Sequence, residues 1–156
     1  RANVLSLTGG IATGGNRITV NGAGDTTIST TGITGSGGDI LKQGTGTLNL
    51  NVASSFTGSG SGATNAFIDE GTISVGVSGA LGTTNGTTTG LINMGSSGTA
   101  GLNTTLNIAN GGVTLVNPID VRFLQTGGKT TSGTFGSGSS TSSGGILLQE
   151  DRKGVG

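Results

Sequence analysis

Gly46-Thr47-Leu48-Asn49-Leu50 and Gly71-Thr72-Ile73-Ser74-Val75 are two versions of one pattern. A glycine opens each, and small polar residues then alternate with aliphatic ones. On a strand, successive side chains point to opposite faces. Leu48 and Leu50 therefore share a face with each other, as do Ile73 and Val75, while Thr47, Asn49, Thr72 and Ser74 take the other side. The copies lie about 25 residues apart, and Gly90-Leu91-Ile92-Asn93-Met94 reads as a looser third copy about 19 residues further on. Such periods are those of solenoids, in which each repeat buries its apolar stripe against its neighbours.

Outward from this stretch, short strand patterns recur at Val4 to Leu7, Arg17 to Val20, Thr26 to Ser29, Asp39 to Lys42, Thr47 to Val52, Ala66 to Asp69 and Thr72 to Val77. They continue at Leu91 to Met94, Thr105 to Ile108, Val113 to Val116, Ile119 to Leu124 and Ile146 to Gln149. Gly-Gly, Ser-Gly and Asn-Gly turns separate them. That spacing also suits a sandwich or barrel, and the similarity between segments favours the solenoid. Helix is disfavoured because Gly costs roughly 1 kcal/mol per position relative to Ala and β-branched residues add to that. The expectation is all-β: a right-handed parallel β-helix of about six to eight coils, formed by residues 1–156 as a single segment. Leu48, Leu50, Ile73, Val75, Ile92, Leu106 and Ile108 are expected inside, and the sequence leaves open whether loops interrupt the coils at stretches such as Thr83 to Thr89 and Ser132 to Ser143.

Composition agrees. Of 156 residues 35 are glycine, which tight corners require, and only 9% are charged. Ile, Leu, Val and Phe make up about a quarter of the chain, above the roughly 20% that marks disorder. Zero net charge and the lack of a basic cluster argue against nucleic acid and anionic membranes. No apolar run approaches the roughly 18 residues of a membrane span. The chain opens at Arg1 and stops at Gly154-Val155-Gly156 with no capping motif, so both ends are expected to be cuts through a longer protein.

Chemistry-bearing motifs fail on inspection. Without histidine or cysteine there is neither the usual catalytic base nor a thiol nucleophile. Gly127-Gly128-Lys129-Thr130 resembles the end of a phosphate loop, but Phe123 stands where its first glycine belongs. Gly35-Ser36-Gly37-Gly38-Asp39-Ile40-Leu41 matches most of a calcium nonapeptide. Thr34 replaces the leading glycine and the motif occurs once, so a plain turn is the reading. The acidic pairs Asp69-Glu70 and Glu150-Asp151 are too dispersed for a polysaccharide-cleaving groove and read as solubilising corner residues. A Thr-x-Thr face that orders water is suggested by Thr45-Gly46-Thr47, but no such element recurs coil after coil, and Thr87-Thr88-Thr89 falls in a loop-like stretch. No catalytic, cofactor-binding or metal-binding residue is assigned.

From Lys42 to Gly82 the chain resembles the passenger-associated transport repeat, also called the autotransporter-associated β-strand repeat. Lys42-Gln43-Gly44-Thr45-Gly46-Thr47-Leu48-Asn49-Leu50 fits its K-x-G-x-G-x-L-x-L core. Phe56-Thr57-Gly58, Gly71-Thr72-Ile73-Ser74-Val75 and Ala80-Leu81-Gly82 fit the following elements, with a longer insert at Ser59 to Ala63. The resemblance implies a right-handed β-helix in a surface-displayed or secreted passenger, with no catalytic residues to carry over. The expected function is a structural, non-enzymatic extracellular segment: a stalk, fibre or adhesin scaffold on a bacterial surface, continued end to end or self-associated. A host surface or glycan is a possible target. The alternatives are a polysaccharide-binding or polysaccharide-cleaving β-helix and a phage fibre segment.

Overall fold

The computed structural model describes residues 3–58, 64–83, 90–95, 102–123, 131–135, 141–142 and 146–150, and from residue 122 onward the backbone only. The chain winds through β1 (Val4–Leu7), β2 (Ile11–Ala12) and β3 (Ile18–Val20), then β4 (Asp25–Ile28), β5 (Ile33–Thr34) and β6 (Ile40–Lys42). It continues through β7 (Thr47–Leu50) and β8 (Thr64–Ile68), then β9 (Gly71–Val75) and β10 (Leu91–Met94). Next come β11 (Thr104–Ile108), β12 (Thr114–Leu115) and β13 (Ile119–Phe123), followed by β14 (Thr131–Phe135), β15 (Thr141–Ser142) and β16 (Ile146–Glu150). Among the described residues there is no helix.

Two six-stranded sheets face each other across the interior, in the orders β1-β4-β7-β9-β11-β14 and β3-β6-β8-β10-β13-β16. β2 with β5, and β12 with β15, form short pairs on a third side. All of these strand pairings are parallel. The molecule is a parallel β-solenoid, as the repeated pattern predicts. The coil count differs from the six to eight expected, because about four turns are complete, with a strand on every side. Between β7 and β8, and between β9 and β10, the described residues of the third side form no strand and carry turns and the bridge of Ser36 to Thr57.

The interior is a set of stacked rows. In the first sheet Leu48, Ile73 and Leu106 lie in register, as do Ile28, Leu50, Val75 and Ile108. In the second sheet Ile40, Ala66, Ile92 and Ile119 form one row. Phe56, Leu81, Val113 and Leu115 fill the third side. All seven residues expected inside are at most 3% exposed. Each fully buried aliphatic side chain contributes roughly 1.5–3 kcal/mol, and stacking like on like lets one narrow core serve every winding.

Register corrects one reading. β9 does stack on β7, with Thr72 beside Thr47 and Ile73 beside Leu48. Gly90-Leu91-Ile92-Asn93-Met94 is not a third copy in that stack: β10 belongs to the other sheet, between β8 and β13. The true successor of β9 is β11, where Leu106 follows Ile73 after a step of 33 residues. Alternation announces an inward stripe without saying which wall of the solenoid it lines. The stretch Ser132 to Ser143, left open as strand or loop by the sequence, contains most of β14 and all of β15. Gly133 masked the pattern there, yet the ladder offered by β11 still pairs it residue for residue. Of the other open stretch, Thr83 to Thr89, residues 84–89 lie outside the described residues.

Candidate functional site

The outer face of the first sheet is a polar array built by register. Thr47, Thr72 and Thr105 form one rank, and Thr27, Asn49, Ser74 and Asn107 form the next. Neighbouring windings stand about 4.8 Å apart. Three successive strands thus present Thr-x-Asn, Thr-x-Ser and Thr-x-Asn, not Thr-x-Thr. The second rank is tied along the axis: the Asn49 amide donates to Thr27 Oγ1 at 3.5 Å and the Asn107 amide to Ser74 Oγ at 3.1 Å. At the start of the first rank, Asp25 accepts the Thr47 N–H at 2.8 Å.

A groove of about 410 Å³ opens at the corner of this face. Thr72 and Thr105 line it from the sheet, Thr45 and Glu70 from the preceding corner, and Leu102 and Asn103 from the segment entering β11. The Gly71 N–H donates to the Asn103 carbonyl at 2.8 Å and fixes that segment over the sheet edge. Gly71 has φ +78°, and a Cβ there would collide with the Gly44 carbonyl oxygen and lie 2.8 Å from the Lys42 ammonium. Only glycine fits. Sequence reading missed Leu102, Asn103 and Thr105 as a site; the one available signal was the unusual length between the strand patterns ending at Met94 and starting at Thr105.

Lys42 lies behind the same corner. It occupies an inward position of β6, in register with Val20 and Ile68, and is 1% exposed. Its ammonium donates to the carbonyls of Gln43 at 2.7 Å, Gly44 at 2.6 Å and Glu70 at 3.3 Å. It thereby joins two successive corners and satisfies carbonyls that the sharp turns leave without ladder partners. Burial pushes its pKa down from the usual lysine value, while the Glu70 and Asp25 carboxylates act in the opposite direction.

Asp39, from the calcium-like turn, is 4% exposed and paired with Arg17 of the preceding winding. Arg17 Nε donates to Oδ1 and Nη2 to Oδ2, the latter at 3.1 Å, a two-pronged pair that occupies both carboxylate oxygens. That hydrogen bond chiefly holds the guanidinium more firmly protonated, against a desolvation that works the other way. Arg17 also lies over the Phe67 ring, 4.7 Å from its centroid. The Asp69-Glu70 pair is split. Asp69 is buried and accepts from the Gln43 amide at 3.4 Å, contrary to its reading as a solvated corner residue, while Glu70 stays half-buried beside the groove. Among the described residues no three His, Cys, Asp or Glu side chains come together, and no helix is long and apolar enough to cross a membrane. Lys129, the Thr87 to Thr89 run and the side chains of Glu150 and Asp151 lie outside the described residues. No family model, curated protein or solved structure matches this chain.

Proposed function

We propose that this chain is a load-bearing segment of an extracellular solenoid, a stalk, fibre or adhesin scaffold. One observation carries the reading: parallel register persists through two six-stranded sheets while side-chain bonds also run from winding to winding. Backbone ladder, Asn49–Thr27 and Asn107–Ser74 bonds and the Lys42 cage all restrain the same axis. The product is a stiff rod with little surface charge, suited to holding something at a distance. Right-handed winding is expected for parallel crossovers, and the resemblance of Lys42 to Gly82 to the passenger-associated repeat supports a place outside a bacterial cell. End-to-end association of copies belongs to the same reading, because β1 is an edge strand that leaves Val4 62% and Leu5 56% exposed. An antibody raised to this chain should label intact cells of the source organism before permeabilisation. Labelling only after permeabilisation overturns the extracellular reading. Light scattering and electron microscopy on the isolated chain should show end-to-end species, and a strictly monodisperse monomer at high concentration counts against axial association.

A further inference from the structure

We propose that the corner groove is a binding site for a neutral sugar residue of a polysaccharide. Its volume of about 410 Å³ lies within the roughly 300–1,000 Å³ of ligand sites. Thr72 and Thr105 are adjacent in register, and both line the groove from the sheet. Each hydroxyl both donates and accepts, which suits a ligand bearing several hydroxyls. Glu70 contributes an acceptor-only carboxylate that needs O–H donors. Leu102, 37% exposed, offers an apolar wall for the C–H face of a ring.

The same chemistry excludes other classes. Among the described residues no cation lines the groove, since the nearby Lys42 ammonium points into its own carbonyl cage. A phosphate, sulfate or uronate would meet Glu70 with nothing to balance it. An extended peptide needs an open strand edge to continue a ladder, and here the floor is the face of a sheet whose strands β9 and β11 are already paired to each other. A ligand rich in hydroxyls, uncharged and with one apolar face remains. The site stands independently of the scaffold reading, because a rod in any location would carry it.

The test is titration of the full 156-residue chain, labelled with ¹⁵N, by cellotetraose, maltotetraose and mannotetraose, with tetragalacturonate as the charged counterpart. At least one neutral tetrasaccharide should shift the amides of Gly71, Thr72 and Thr105, with a dissociation constant of about 1 mM or tighter. Thr72→Tyr fills the groove and should weaken that binding at least about tenfold. Glu70→Gln should weaken it roughly 5–10-fold through loss of a charge-assisted hydrogen bond and admit tetragalacturonate. Both changes lie on the outer surface, and unchanged circular dichroism and melting temperature show that the fold is kept. No shift with any neutral tetrasaccharide at about 10 mM overturns the proposal. Shifts confined to another face, or tighter binding of tetragalacturonate than of all neutral probes by the unaltered chain, overturn it as well. Should a variant misfold, the shift map of the unaltered chain decides.

Discussion

At the scale of single residues, Lys42 and Gly71 carry the most testable chemistry. Lys42→Met would match the methionine that Met94 supplies in the same interior row. It removes a buried charge but leaves the carbonyls of Gln43, Gly44 and Glu70 without their donor. An unpaired buried polar group costs about 1–3 kcal/mol, so urea unfolding should show a loss of that order. The pH response has a definite sign. Burial lowers the folded pKa of Lys42 below its unfolded value. Between the two values the unfolded chain therefore binds more protons, and stability rises with pH. The unaltered protein should gain stability as pH climbs from the lowered folded value towards the ordinary lysine value of about 10.4, and Lys42→Met should lose that gain. The chain has no Tyr or Cys to confuse the alkaline window. Gly71→Ala forces a positive φ on a residue with a Cβ and drives that atom into the Gly44 carbonyl. The expected cost is about 1–3 kcal/mol from backbone strain alone, read as a lowered melting temperature.

At the scale of elements, inward and outward positions of one strand should respond differently. Leu50→Ala opens a hole in a row that also holds Ile28, Val75 and Ile108, and should cost about 2–5 kcal/mol. Thr72→Val on the outer rank should change stability by no more than about 0.5 kcal/mol. Chemical denaturation of the two variants side by side checks the contrast. Strand existence was largely legible in the sequence, because alternation at Leu48-Asn49-Leu50 or Ile73-Ser74-Val75 is itself the physical cause of a two-faced strand. Short elements such as β2, β5 and β15 were not, since two residues of a parallel ladder carry no period of their own. The polar array was also illegible: Thr72 and Thr105 are 33 residues apart and become neighbours only through register. Lys42 was visible as the first residue of a familiar repeat, but its inward turn and carbonyl cage depend on Glu70 from the next corner.

Across the whole molecule, contacts run almost entirely between successive windings, so stability is close to a sum of nearest-neighbour terms. Hydrogen exchange should be slowest in β7 and β9, which are paired on both sides within largely apolar rows, and fastest in β1 to β3. Uniform protection from β1 to β9 would instead mean one all-or-none unit. Windings also differ in residue count while the register holds: β4 to β7 advances 22 residues, β9 to β11 advances 33, and β13 to β16 advances 27. The described end of the longest winding's connection, Leu102 and Asn103, borders the groove, and the sheets beside it keep their register.

The ladder has a mechanical consequence. Its backbone hydrogen bonds point along the rod, so tension on the rod loads them in series, one winding after another. Pulled from its ends, the molecule should not snap as a block but peel open in steps, dissipating work at each. A 22-residue winding releases roughly 73–79 Å of extended chain and the 33-residue winding roughly 109–119 Å, which makes the sequence of step lengths a fingerprint of the winding order. Single-molecule force spectroscopy should record those unequal steps, and one abrupt rupture to full extension would show that the windings fail together.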